Sequence, residues 1–341
     1  MVLVFTLCSN NYLAQAITLG NSLLVYNPDY IFKIGLVDRS SDTINYTNIP
    51  FEIIEVESIG IKAFDDMFKR YNLTELNTAV KPFYFNYFFK NELKVNYIIY
   101  LDPDILVYRP FIELDQILNE NEIVITPHFT TPINDDKLQE ENDFLNAGLY
   151  NLGFMALKKG EESQKLLKWW AKRLDKKAYI NLAKGMFTDQ IWINFAPLFF
   201  DKVHIFRHPG YNMAYWNMHE RILVNAEQVV KNNIIYPLVF FHFSGFSPLK
   251  PDILSRYQNR YSFENRIDII DLFKEYSEKL LNNNFTEFIN YPCYYLIEKQ
   301  KLEQNAYQNF KKSIPVYKRI FRGLILRFIK LFNINIEYYI Q

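Results

Sequence analysis

The chain has 341 residues, of which 49% are apolar and 17% aromatic, enough to build a sizeable hydrophobic core in one or two domains. Its 38 basic and 38 acidic residues balance, so no net charge favours a nucleic acid or another polyanion as a partner. The cysteines Cys8 and Cys293 have no CxxC spacing, which argues against a zinc site or a disulfide framework and fits a reducing cytoplasm.

The first hundred residues alternate between apolar runs and helical patterns. Residues 2–7 predict a strand, and residues 12–26 predict a helix because their apolar side chains recur at helical spacing. Further strands are predicted at 31–37, 51–56 and 97–101, with a helix at 78–89. Strands that alternate with helices and are apolar throughout indicate an α/β fold with a parallel sheet covered on both faces.

The second half of the chain continues this pattern and then changes. Strands are predicted at 122–126, 152–157 and 237–243, and helices at 161–173 and 189–195. After about residue 262 the sequence becomes mostly helical and more highly charged. We therefore predict a main domain over residues 1–262, a helical extension over residues 263–341, and no transmembrane segment.

Two carboxylates directly follow an apolar strand in the segment NYIIYLDPDILVYRPF. Asp102 and Asp104 lie at the carboxyl end of the strand at 97–101, where parallel α/β sheets bind ligands. Two carboxylates this close resist joint ionisation, whereas a hard divalent cation prefers oxygen ligands and bridges them to phosphates. The segment therefore predicts a metal site, with a polar turn at Pro103 as the alternative.

A second chemistry is compatible with the same segment. An apolar strand followed by Asp-x-Asp also opens the haloacid-dehalogenase-like phosphatases, in which the first aspartate is a nucleophile. That motif belongs near the start of a chain, whereas at least three strands precede Asp102 here. The phosphatase hypothesis is therefore the weaker one.

Amides and an acid follow in the middle of the chain. Asn146 and Asn151 each stand two residues before a glycine, and amides can both donate to and accept from sugar hydroxyls. Ordinary turns are the alternative. Asp189 and Gln190 open a predicted helix, either as its N-cap or as an acid and an amide beside a reacting carbon.

Two further candidates follow the strand at 237–243. His242 precedes Gly245, which permits close approach of the backbone, so the imidazole is a candidate third metal ligand. A core histidine hydrogen-bonded among phenylalanines is the alternative. Lys250 either reaches a phosphate or is a solvated lysine beside Pro251.

Together these motifs resemble a GT-A type glycosyltransferase, most closely glycosyltransferase family 8 and its bacterial relatives, over roughly residues 1–255. The resemblance implies the nucleotide-diphospho-sugar transferase fold, a Rossmann-like, mostly parallel α/β sheet flanked by helices, with a C-terminal helical extension. It implies transfer of a hexose from a nucleotide sugar, expected to be UDP-linked, to a saccharide or lipid-linked saccharide with retention of configuration. Residues 1–262 would then form the catalytic domain.

The resemblance also assigns roles, motif by motif. Contacts to the base and ribose are implied by VFTLCSNNYLAQAITLGNSLLVYNPD, at Thr6, Leu7, Asn10 and Asn11. Ligands to Mn²⁺ or Mg²⁺ are implied by IIYLDPDILV and HFSGFSPLKP, at Asp102, Asp104 and His242, with a diphosphate contact at Lys250 and a donor contact at Gly245. Contacts to the donor sugar are implied by YNLGFMALKK, at Asn151 and Gly153, with Asn146 just before them. A catalytic pair beside the anomeric carbon is implied by TDQIWIN, at Asp189 and Gln190.

The match departs from the family pattern at several places. Lys81, in AVKPFYFNYFF, stands in for a basic residue that the family places ahead of Asp-x-Asp, and we count it as a donor contact. Ile191 replaces a second acid, and Lys250 falls two residues later than the pattern expects. Cys8 and Ser9 stand where the family tends to have aspartates, so the identity of the donor stays open.

The C-terminal region is strongly basic. Residues 304–336 contain seven basic and no acidic side chains. On a helical wheel over 317–332 the basic residues lie on one half and most apolar residues on the other, as in a helix at a membrane surface. A helix packed on the acidic body is the alternative. We expect a cytoplasmic enzyme bound peripherally to the inner face of the membrane, building a surface polysaccharide or glycolipid; an inactive sugar- or nucleotide-binding module is the second hypothesis.

Overall fold

The computed structural model of the protein describes residues 1–225 and 227–313. The strands in these residues are β1 (Val2–Cys8), β2 (Ile31–Leu36), β3 (Glu52–Glu55), β4 (Tyr97–Leu101), β5 (Ile105–Val107), β6 (Ile123–Pro127), β7 (Tyr150–Lys158), β8 (Ile180–Asn181), β9 (Met186–Phe187), β10 (Val203–Ile205), β11 (Ile222–Val224), β12 (Gln228–Lys231), β13 (Ile234–Pro237) and β14 (Phe240–His242). The α-helices are α1 (Leu13–Tyr26), α2 (Phe64–Arg70), α3 (Leu73–Ala79), α4 (Lys81–Asn91), α5 (Ile112–Glu120), α6 (Glu141–Ala147), α7 (Glu161–Leu174), α8 (Gln190–Ile193), α9 (Ala196–Phe199), α10 (Ile270–Asn282), α11 (Phe285–Phe288) and α12 (Tyr294–Ser313).

Three predicted elements differ from the observed ones. The predicted helix at 78–89 is the end of α3 followed by α4, because Pro82 favours a helix start and α4 begins one residue before it. The predicted helix at 189–195 is the short α8. The predicted strand at 237–243 is observed as the shorter β14, because Pro237 is the last residue of β13, which belongs to a separate sheet.

The central sheet has seven strands in the order β10-β6-β7-β4-β1-β2-β3. All neighbouring pairs are parallel except those of β7, which runs antiparallel to both β4 and β6. The sheet is therefore mixed rather than fully parallel. A strand buried on both faces is apolar throughout in either direction, so the sequence of β7 did not reveal its orientation.

Both faces of the sheet are covered, as the apolar strands require. Successive side chains of β1 point to opposite faces. Val4 packs in one buried cluster with Leu19 of α1, whereas Phe5 packs in a second cluster against Phe85 of α4. The Phe5 and Phe85 rings meet edge to face with centroids 4.9 Å apart. A strand with a core on each side has no solvent face, which explains its lack of polar alternation.

The chain divides into two compact units, Met1–Tyr295 and Leu296–Gln341. Helices α10 and α11, which follow the predicted boundary at residue 262, lie in the first unit. No helix in residues 1–225 and 227–313 is both long and apolar enough to cross a membrane. The predicted membrane-surface helix at 317–332 lies outside the described residues.

Candidate active site

The turn between β4 and β5 carries the two aspartates, and β14 brings a histidine to them. β14 pairs antiparallel with β5, so that His242 is opposite Ile105, the residue after Asp104. The His242 Nε2 atom lies 3.0 Å from Asp104 Oδ1 and 3.7 Å from Asp102 Oδ2. One ligand atom from each of the three side chains lies within 4.8 Å of the others. The structure therefore brings together the three residues expected to bind a metal, which we call the triad.

Hydrogen bonds from neighbouring strands hold the triad in place. The Asp102 N–H donates to Gly153 O at 2.8 Å, and Tyr100 OH donates to Asp102 Oδ1 at 2.6 Å. The Phe243 N–H donates to Asp104 O at 2.8 Å. The two main-chain bonds fix the backbone on which both aspartates lie, and the Tyr100 hydroxyl orients the Asp102 carboxylate.

The electrostatics of the triad suit a cation. Burial raises the pKa of Asp102, although the positive charges of Lys81 and His242 oppose this shift. Burial also disfavours the charged form of His242, but the Asp104 and Asp102 carboxylates outweigh burial and raise the pKa of the imidazole. Two carboxylates and one imidazole form an oxygen- and nitrogen-rich donor set that a divalent cation neutralises. The residues present therefore fit a divalent cation.

Asn151 and Gly153 lie in β7 beside the triad. The buried Asn151 Oδ1 accepts from the Gly153 N–H at 3.0 Å and from Asn212 Nδ2 at 2.9 Å. A Cβ atom on Gly153 would lie 2.4 Å from His242 Cε1, so a glycine is required for the ring to approach the strand. Asn146 instead lies exposed in α6 and lines neither of the two cavities that border the triad.

A buried ion pair lies beneath β7. Lys81 Nζ is 2.7 Å from Asp189 Oδ2 and donates to Leu152 O at 2.9 Å, and the two side chains are only 2% and 3% exposed. Gln190 Oε1 accepts from the Leu152 N–H at 3.2 Å, and its Nε2 donates to Ala147 O at 3.0 Å. Lys81, Asp189 and Gln190 thus lie together, bound to one another or to the main chain.

The residues predicted near the base and ribose divide into two groups. Leu7 and Asn11 line a cleft, and the buried Asn11 Oδ1 has no hydrogen-bond partner within residues 1–225 and 227–313. Thr6 is fully buried inside the sheet. Asn10 is also buried, and its N–H and Nδ2 donate to Asp38 Oδ2 at 3.2 and 3.1 Å. Thr6 and Asn10 therefore support the loop, whereas Leu7 and Asn11 face the space where a ligand fits.

Two cavities meet at the triad. The smaller cleft, of about 300 Å³, lies between the loop after β1, α3 and the triad, and Asn151 and His242 line it. The larger cavity, of about 600 Å³, lies between α1, the loop after β14 and helices α10 and α11. Gly245 and Lys250 line the larger cavity. Three residues line both cavities, namely Tyr12, Asp104 and Arg256.

The sequence analysis missed several residues of the larger cavity. Gln15 and Tyr276 are buried in its wall, and their Oε1 and OH atoms have no hydrogen-bond partner in the part of the chain that the structure describes. Arg256 stands between the cavities with its guanidinium 4.8 Å from the Tyr257 ring centroid. Arg256 follows Lys250 closely enough that the motif could have drawn attention to it. Tyr276 lies in a helix with no pattern that relates it to α1.

These features define an α/β protein with two carboxylates and an imidazole that fit a divalent cation at the carboxyl edge of its sheet, and with two cavities that meet there. The sequence model of glycosyl transferase family 8 matches residues 3–251. The chain belongs to this family and is a glycosyltransferase. Family membership confirms the predicted resemblance and, with the observed sheet and its flanking helices, the predicted GT-A fold class. Membership in this family argues against the phosphatase hypothesis.

Comparisons with individual proteins give distant relatives. The uncharacterized protein YfnF of Bacillus subtilis (strain 168) is 23% identical over 252 residues, which cover 71% of this chain and 80% of YfnF. A structure of the galactosyltransferase LgtC in complex with donor and acceptor sugar analogs is similar with a TM-score of 0.46 and 16% identity, covering 82% of this chain and 95% of LgtC. The glycosyltransferase GlyE of Streptococcus pneumoniae TIGR4 is similar with a TM-score of 0.46 and 17% identity, covering 86% of this chain and 65% of GlyE.

Proposed function

We propose that this glycosyltransferase is metal-dependent and transfers a hexose from a UDP-linked sugar to a saccharide or lipid-linked saccharide, with retention of configuration. The observation that supports this most directly is the meeting of Asp102, Asp104 and His242 within 4.8 Å of one another. The family resemblance implies Mn²⁺ or Mg²⁺ as the ion.

The charged groups around the triad suit a leaving diphosphate. A divalent cation held by the triad would supply stabilisation of the negative charge that grows on the diphosphate. Lys250 is exposed where it lines the larger cavity, and Arg256 lies between the two cavities. Both side chains can donate charge-assisted hydrogen bonds to phosphate oxygens.

The smaller cleft carries residues expected at both ends of a nucleotide sugar. Such a donor carries a nucleoside on one side of its diphosphate and a hexose on the other. We assign the nucleoside to the part of the smaller cleft that Leu7 and Asn11 line, and the hexose to the part beside Asn151 and Gly153. Lys250, in the wall of the larger cavity, is assigned to the diphosphate.

We propose Asp189 and Gln190 as the groups that flank the anomeric carbon. Gln190 binds the main chain of Leu152, the residue before Gly153, and Lys81 holds Asp189 in position. Gln190 binds β7 directly and Asp189 is linked to it through Lys81, which holds both side chains in a constant geometry. Constant geometry lowers the entropic cost of bringing the donor and acceptor together.

We further propose that the enzyme works at the cytoplasmic face of a bacterial membrane in surface polysaccharide or glycolipid synthesis. The support is the sequence at 317–332, whose basic and apolar halves suit anionic headgroups and the acyl boundary. In this arrangement residues 1–262 form the catalytic domain and residues 263–341 the extension. A lipid-linked acceptor would then be bound where the enzyme meets the membrane.

The direct test measures thermal unfolding with a panel of nucleotide sugars, each with and without Mn²⁺. One donor should raise the Tm only when Mn²⁺ is present, because a ligand that binds the folded state alone stabilises it. Slow hydrolysis of that same donor should follow in the presence of Mn²⁺. An inactive binding module would be stabilised without any hydrolysis.

Substitution of a triad residue tests the metal assignment. Asp102→Ala should lower transfer by at least about 100-fold, since it removes a ligand of the charge-stabilising ion. Circular dichroism should show an intact fold. The exposed Asp136→Ala is the matched control and should transfer normally. Near-normal transfer by Asp102→Ala would refute the metal site.

A further inference from the structure

A chain of hydrogen bonds leads from a main-chain carbonyl to His242. It starts at Leu149 O, which lies 3.2 Å from His128 Nδ1. A carbonyl only accepts, so the proton of the His128 ring is on Nδ1. His128 Nε2 then accepts from Asn151 Nδ2 at 3.3 Å. Burial lowers the pKa of His128 to about 3, so the ring is neutral, as this arrangement requires.

A second main-chain group sets the direction of the following bonds. The Gly153 N–H donates to Asn151 at 3.0 Å, which identifies the accepting end of that amide as Oδ1. The same oxygen accepts from Asn212 Nδ2 at 2.9 Å. Asn212 Oδ1 is therefore the end that faces His242 Nδ1, at 3.3 Å, and accepts its N–H. His242 Nε2 is left directed at Asp104.

This direction matters because of what His242 faces. Nε2 lies 3.0 Å from Asp104 Oδ1 and can donate a proton to it, and a divalent cation would take the place of that proton. Nδ1 keeps its N–H in both cases. We propose that Asn212 is a positioning residue that holds the His242 ring with Nε2 directed at the metal. The inference rests on the proposed function only in assuming that a divalent cation binds the triad. Partners on the second ring nitrogen of a metal-bound histidine contribute about 10- to 100-fold to metal affinity.

Asn212 is held rigidly enough for this role. It is fully buried and has φ +53, a conformation that asparagine and glycine tolerate better than other residues. The main-chain carbonyl oxygen of Asn212 accepts from Asn217 Nδ2 at 2.9 Å. The Trp216 ring packs edge-on against His242 with centroids 5.0 Å apart. The imidazole is therefore confined by an aromatic ring and oriented by one amide.

The test titrates metal-free protein with Mn²⁺ alone and follows free Mn²⁺ by electron paramagnetic resonance. Asn212→Gly removes the amide without straining the backbone and should raise the Kd at least about tenfold. Asn212→Asp keeps an acceptor for the His242 Nδ1–H but loses the bond to Asn151 Oδ1, so its affinity should fall less than that of Asn212→Gly. Asn232→Gly is the matched control, because Asn232 has φ +51 in the turn between β12 and β13. Its Kd should equal that of the wild type.

A second test uses the wild-type protein, so its result does not depend on whether a variant folds. In the ¹⁵N spectrum of protein saturated with diamagnetic Zn²⁺, His242 should carry its proton on Nδ1. A proton on Nε2 would overturn the inference. Unchanged Mn²⁺ affinity in Asn212→Gly would also overturn it, since the amide would then serve packing alone. Equal weakening in Asn212→Gly and Asn212→Asp would refute the acceptor role. A wild type that binds no Mn²⁺ would instead refute the proposed metal dependence, and the inference with it.

Discussion

His128 shows how burial sets the charge of a single side chain. Its ring lies among the rings of Phe144 and Trp216, with centroids 4.9 and 5.4 Å away. Burial lowers the pKa of His128 to about 3, whereas a histidine in an unfolded chain titrates near about 6.5. Between these values the unfolded state binds a proton that the folded state does not. Acid therefore favours unfolding through this residue.

We expect acidification to reduce stability through His128. The free energy of unfolding should lose about 1.4 kcal/mol for each pH unit below about 6.5 from this residue, down to about pH 3. His128→Phe keeps an aromatic ring but cannot be protonated, so its stability should fall less steeply with pH. Urea unfolding between about pH 5 and pH 7 measures both slopes. The absolute stabilities will differ, and equal slopes would contradict a neutral His128.

Strand β7 is the element that does most to assemble the site. It runs antiparallel between β6 and β4, and Gly153 on it lies against His242 of β14. Asn151, two residues earlier, orients Asn212 on a separate segment. The strand thus links the residues assigned to the donor sugar with those assigned to the metal. Glycine is needed at position 153, because a side chain there would displace the imidazole of His242.

Gly153→Ala should therefore impair the metal site from within β7. The new Cβ would lie 2.4 Å from His242 Cε1 and push the ring from its position, raising the Kd for Mn²⁺ at least about tenfold. Gly20→Ala is the control, because its Cβ would lie 2.5 Å from Phe32 Cε1 in the core beside α1. Each variant should lose about 1–3 kcal/mol of stability through overpacking. If both bind Mn²⁺ equally well, the close approach of Gly153 is not what holds His242.

At the scale of the whole molecule, the triad and both cavities lie in one compact unit, Met1–Tyr295. The family match ends at residue 251, yet Arg256 and Tyr276 line the larger cavity. Residues beyond the matched region therefore contribute to the site. The basic sequence at 317–332 follows this unit in the chain, so truncation can test the proposed membrane binding separately from catalysis.

Removal of the residues after Ser313 should separate the two activities. The shortened protein should no longer sediment with anionic vesicles, because each basic residue near such a surface contributes about 1 kcal/mol of attraction. Transfer to a water-soluble acceptor should persist. Vesicles of neutral lipid serve as the control and should bind neither form strongly. Unchanged binding of the shortened protein to anionic vesicles would refute membrane contact through the tail.

Individual residues show which parts of the site were accessible to sequence reasoning. Asp102 and Asp104 could be identified from the sequence, because two carboxylates directly after an apolar strand are an unusual local pattern. Lys81 was singled out, but its burial against Asp189 was not foreseen. Tyr276 was missed because its position on α10 relative to α1 depends on how the helices pack. No spacing in the sequence encodes that arrangement.

The sequence by itself determined where most strands and helices form and that two carboxylates end β4, because these properties depend on neighbouring residues. Only the tertiary structure decided that β7 runs antiparallel, that His242 lies beside both aspartates, and that its ring contacts Asn212. Each of these depends on contacts between segments far apart in the chain. Burial makes all such strands look alike in sequence, so their direction and partners emerge only when the core packs.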